Sequence, residues 1–153
     1  PMKIVAGPFL PEVEWRELQQ QAAGRADVSL LRSVPDLADE MRRASLSISQ
    51  CGYNTAVDII ASRVPALVVP YAAEREDEQL NRSARLQNLG ALRMLPPAEL
   101  TPARLAQEIV ATMRFEPEAN SLDLDGAERT ANMIEAMLRI RAAPSAPKVA
   151  HAL

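Results

Sequence analysis

Short runs of aliphatic and β-branched residues alternate along the chain with longer stretches whose apolar positions recur every three or four residues. This is the pattern of parallel strands joined by helices. The first strand is predicted over Met2 to Ala6, ended by Gly7-Pro8. A helix follows from about Pro11, a favourable first-turn residue, with Trp15, Leu18 and Ala22 on one face and Gly24 as its stop. Val28 to Leu31 forms a second strand. Val34-Pro35-Asp36 then opens a helix carrying Leu37 and Met41. Leu46 to Ser49 is the third strand, and it leads through Gln50-Cys51-Gly52-Tyr53-Asn54-Thr55 into a helix with Val57, Ile60 and Val64 aligned. Asn54 is the expected N-cap.

Ala66 to Val69 is almost wholly apolar, which predicts a central strand covered on both faces. A charged loop over Ala73 to Asp77 precedes a helix through Leu80 and Ala84 that stops at Gly90. Leu92 to Leu95 is the fifth strand. Thr101-Pro102 opens a helix with Leu105, Ile109 and Met113 on one side. Asp125 and Glu128, in capping-box spacing, open the last helix, which carries Ile134, Met137 and Leu138. The expected fold is α/β: a Rossmann-like three-layer domain over residues 1–141 with a parallel sheet of about five strands. Ala and Pro dominate from Ala142, so 142–153 is expected to be a mobile tail.

A chain of 153 residues fits one domain, and 48% hydrophobic with 24% charged residues is globular composition. The formal net charge of -3 gives no electrostatic reason to expect nucleic acid as a partner. A lone cysteine, Cys51, can form neither an internal disulfide nor a zinc site by itself. The apolar runs are shorter than the roughly 20 residues of a membrane span, and no leader pattern opens the chain. The expectation is a cytoplasmic protein. A strand that starts almost at Pro1 also suggests material removed upstream.

Ligands of an open parallel sheet bind where strand ends feed helix N-termini, so three turns carry the candidate chemistry. Gly52 to Thr55 combine a glycine with a helix start, and a phosphate placed there gains about 0.3–2 kcal/mol from the helix dipole. An ordinary tight turn has the same spacing. Asp58 lies one helical turn further in and could accept hydrogen bonds from paired ribose hydroxyls; a solvated helix carboxylate is the alternative. The run Glu74-Arg75-Glu76-Asp77-Glu78-Gln79 suits sugar hydroxyls, and equally a plain solvated loop.

The three segments together resemble a known family. Gly52-Tyr53-Asn54-Thr55 with Asp58, the Pro-bounded strand Pro65 to Pro70, Glu78-Gln79, and Leu89-Gly90 are similar to the donor-binding, C-terminal domain of GT-B glycosyltransferases. The group is the one that includes the lipid-linked peptidoglycan N-acetylglucosaminyltransferase, and within it a bacterial branch of predicted glycosyltransferases. Gly7-Pro8 and the stretch from Leu122 to Arg129 look similar as well, so the resemblance spans about residues 2–141. It implies that Gly52, Tyr53, Asn54 and Thr55 face the donor diphosphate, Asp58 holds the ribose, and Glu78 and Gln79 contact the transferred sugar. Ser33, Val34 and Pro35 would edge the base.

The implied substrate is a nucleotide-diphosphate sugar, with UDP-sugar the family-based expectation. No cofactor and no metal are implied. Cys51 stands where many relatives have a second glycine, and Asp58 is one methylene shorter than the usual glutamate. Relatives begin this domain with a further strand, a Gly-rich turn and a helix, and they carry an N-terminal acceptor domain with the catalytic base. The chain is therefore expected to be a fragment without catalytic residues of its own, since the lone histidine, His151, lies in the tail. Its expected partner is the acceptor domain of the same polypeptide; a homodimer through the face so uncovered is the other. A nucleotide-sugar epimerase or hydrolase, or a non-catalytic binding module, is the alternative to glycosyl transfer.

Overall fold

A computed structural model of the chain describes residues 1–72, 77–118, 122 and 124–142. Residues 73–76 of the expected charged loop, Asp123 and the tail beyond Ala142, with His151, lie outside the described residues. Five strands alternate with helices: β1 (Met2–Val5), α1 (Glu12–Ala22), β2 (Val28–Leu31), α2 (Leu37–Arg42), β3 (Ser47–Ser49), α3 (Tyr53–Ser62), β4 (Ala66–Val68), α4 (Glu78–Asn88), β5 (Arg93–Met94) and α5 (Pro102–Thr112). A 3-10 turn, Pro97–Glu99, separates β5 from α5. The α/β class and the five parallel strands match the periodicity.

The strands pair as two parallel ladders, β1 with β2 and β3-β4-β5. Val5 lies opposite Leu31, and Ser49 opposite Val68, so the carboxyl ends within each ladder are level. All three residues of β4 are fully buried, as a central strand requires. The core gathers around it from Cys51, Ala56, Ile59, Val64, Leu86 and Leu92, joined by Met41 of α2. Hydrophobic burial is the main driving force for this half, worth about 1.5–3 kcal/mol per large side chain.

The predicted helix faces hold with local shifts. In α1, Trp15, Leu18 and Ala22 are the half-buried positions of an otherwise exposed helix. In α3, Ala56 and Ile59 are more deeply buried than the predicted Val57 and Ile60. The reason is that Ala56 and Ile59 join the one buried cluster formed with β4, α4 and Met41 of α2, whereas Ile60 packs at its margin. Met113, expected on the buried face of α5, lies beyond its end and is exposed, while Glu108 and Thr112 are buried instead. Glu108 is tolerated there because Arg93 and Arg104 bond both its oxygens, at 2.6 and 3.0 Å. Leu92 and Leu95 are buried, but only Arg93–Met94 between them ladder with β4.

Residues 1–120 form one compact unit and 121–153 a second. In the second, α6 (Gly126–Ala142) starts after Asp125, and Met133, Ile134, Met137 and Leu138 are exposed. No described helix is long and apolar enough to cross a membrane.

Candidate functional site

The turn between β3 and α3 opens a helix end. Gly52, not Asn54, is the N-cap: its backbone is extended (φ -60, ψ 159) and its carbonyl accepts the Ala56 N–H at 2.9 Å. No side chain caps this end and no acid stands in its first turn. The N–H groups of the first turn therefore have no partner within the helix, at the positive end of its dipole. Neither backbone angle nor crowding requires glycine at 52, since an added Cβ would meet only Thr55 Oγ1, at 4.0 Å. What the missing side chain leaves is open space over the helix end. Close by, at the end of β3, Ser49 Oγ is buried without a hydrogen-bond partner among the described residues.

Cys51 is fully buried in the core cluster, so its thiol packs inward instead of covering the helix end. Its backbone is held from α4. The Cys51 N–H donates to Gln79 Oε1 at 3.2 Å, and Arg82 Nη1 donates to the Cys51 carbonyl at 2.8 Å. Gln79 Oε1 also accepts the Tyr71 N–H at 3.1 Å, which ties the segment after β4 to the turn after β3. The guanidinium of Arg82 lies 5.6 Å from the centroid of the Tyr53 ring and pairs with Glu78. Two segments some thirty residues apart in sequence thus meet at one place.

Asp58 is half-buried on α3, one turn in from Asn54. Burial, and secondarily the charge of Asp36, push its carboxyl above the usual carboxylate range. Asp36 caps α2 by accepting the Asp39 N–H at 2.8 Å. The segment just before Asp36, Ser33-Val34-Pro35, leads into α2, which packs against α3, and its Ser33 and Pro35 are exposed. Glu78 is exposed, and Gln79 has spent its carboxamide oxygen on two backbone donors, leaving its NH2.

The structure thus brings the turn before α3 together with Gln79, Glu78 and Arg82, while Ser33 to Pro35 precede Asp36, whose charge acts on Asp58. Arg82 escaped the sequence reading, although its position three residues after Gln79 puts both on one helix face. A separate hollow lined by Ile59, Arg63, Ala91 and Glu118 lies at the far end of α3. Among the described residues no three His, Cys, Asp or Glu side chains gather as a metal site would need.

Comparison with known proteins identifies the family and the fold. The sequence model described as the glycosyltransferase family 28 C-terminal domain matches residues 11–136. The UDP-N-acetylglucosamine–N-acetylmuramyl-(pentapeptide) pyrophosphoryl-undecaprenol N-acetylglucosamine transferase of Synechococcus elongatus is 30% identical over 122 residues, 71% of this chain and 34% of that protein. The enzyme of the same name from Methylorubrum extorquens is 29% identical over 121 residues, 79% of this chain and 32% of its own length. The chain thus spans about a third of the curated relatives it matches. The fold is similar to that of MurG from Acinetobacter baumannii, with a TM-score of 0.68 at 20% identity over 79% of this chain and 38% of that one.

Proposed function

This chain belongs to the glycosyltransferase family 28 C-terminal domain family, and from that premise we propose that it binds the nucleotide-sugar donor of a glycosyl transfer. The donor is a UDP-sugar carrying a hexose or N-acetylhexosamine. Gly52, Tyr53, Asn54 and Thr55 face its diphosphate, Asp58 its ribose, Glu78 and Gln79 the transferred sugar, and Ser33, Val34 and Pro35 the edge of the base. The observation that carries the reading is the convergence of the uncapped α3 end with Gln79 of α4.

Negative charge builds on the leaving diphosphate as the glycosidic bond breaks. Backbone N–H groups already aimed at an open helix end would stabilise that charge without reorganising at the moment of reaction. The acceptor site and the general base belong to the longer protein of which relatives of this chain are examples, and that protein acts in the cytoplasm. The isolated chain binds donor and does not turn it over.

The test is a titration of the 153-residue chain with UDP, followed by amide NMR. Since the chain supplies only part of a donor pocket, the expected affinity is near 1 mM, or about 4 kcal/mol. Shifts should concentrate at Gly52, Thr55 and Asp58. Shifts gathered at the far end of α3, or none at millimolar UDP, would overturn the assignment.

A further inference from the structure

We propose that Arg82 is the side-chain cation of the diphosphate site and exchanges its Glu78 partner for the diphosphate on donor binding. The inference rests on the donor site proposed above and adds to it a residue on a different helix. The guanidinium is anchored at the turn itself. Arg82 Nη1 bonds the carbonyl of Cys51, the residue just before the N-cap, and the group lies over the ring of Tyr53, the first residue of α3. A positive charge is thereby fixed within about one residue of the free first-turn N–H groups. No acid of that turn offsets it and no side chain caps the helix end.

The partner of Arg82 is easily displaced. The Arg82 side chain is 19% exposed and that of Glu78 80% exposed. A pair whose carboxylate is so well hydrated contributes little, because water solvates that carboxylate almost as well. A diphosphate carries more negative charge than one carboxylate and offers several oxygens in the geometry a guanidinium matches best. The bond to Cys51 uses one of five N–H donors, so the cation can stay anchored while it changes partner. On donor binding Arg82 turns from Glu78 to the phosphate, and Glu78 becomes free for the hydroxyls of the sugar.

The experiment compares the full chain with Arg82→Gln and Arg82→Lys, using inorganic pyrophosphate, UDP and uridine as probes in amide NMR titrations. Glutamine keeps a donor for the Cys51 carbonyl and loses the charge; lysine keeps the charge. The expected result is that R82Q weakens pyrophosphate and UDP about tenfold, the loss typical of one charge-assisted bond, with uridine unchanged. R82K should recover part of the loss for pyrophosphate and fall between R82Q and the parent, because it restores the charge without the guanidinium fork. Pyrophosphate binding equal in R82Q and parent would overturn the proposal. So would a loss that falls equally on uridine, which marks Arg82 as merely structural. If pyrophosphate moves no amide between Gly52 and Thr55 in the parent chain, the donor site itself fails, which is a separate outcome.

Discussion

Asp58 holds its charge against the surrounding fold. Burial and the neighbouring Asp36 raise its pKa above the ordinary 3.8. In the window between 3.8 and the raised native value, the folded chain binds more protons than the unfolded chain, so stability is lost as pH rises through it. Asp58→Asn removes that adverse charge. The variant should melt higher than the parent at pH 7, and the gain should close as pH falls below 3.8, where the parent carboxyl is protonated in both states. Equal melting temperatures across the whole range would refute the account. A carboxylate kept where it lowers stability is characteristic of a group with work to do. If that work is holding the ribose, Asp58→Ala should weaken UDP by about tenfold or more, given about 1.5–3 kcal/mol per charge-assisted hydrogen bond, and spare inorganic pyrophosphate. Matching losses for the two ligands would contradict the ribose role.

The helices and strands show which features a local pattern can and cannot reveal. Strand positions, the apolar face of α1 and the stop at Gly90 were legible because each depends on neighbours within a turn or two. Gly90 has φ +67 and follows the last turn of α4, and the Ala91 N–H closes on the Leu86 carbonyl at 3.0 Å. Only glycine adopts that conformation without strain, so Gly90→Ala should lower unfolding free energy by about 1–2 kcal/mol in urea denaturation. The side chain of Glu118, 2.7 Å from the added methyl, is flexible enough to move aside and should add little. The start of α3 was misread, at Asn54, because cap preference is a property of side chains. Here the extended backbone of Gly52 and the α4 contacts to Cys51 set the helix start two residues earlier. Arg82 was invisible for the same kind of reason: its contact with Cys51 spans 31 residues, a separation that no periodicity encodes.

Across the 1–120 unit, packing is uneven. The core cluster draws on α2, α3, α4, β4 and the residues around them, while β1, α1 and β2 contribute no fully buried side chain. Local opening should therefore release β1 and β2 before the β3-β4-β5 ladder, and amides of Leu67 and Val68 should exchange with solvent most slowly. The proposed donor site spans this divide. The segment proposed to edge the base follows β2, whereas the proposed diphosphate turn and its α4 supports belong to the well-packed side. A ligand that reaches both sides must stabilise the closed state of the weaker one. At ten times its dissociation constant, UDP should slow exchange in β1 and β2 about tenfold, since the ligand is lost when that side opens. Pyrophosphate at the same saturation touches only the turn at Gly52 and should leave those amides unchanged. Identical protection by the two ligands would mean that the base is not held after β2. Protection of β1 and β2 by UDP alone would locate the base by energetics, independently of any chemical shift.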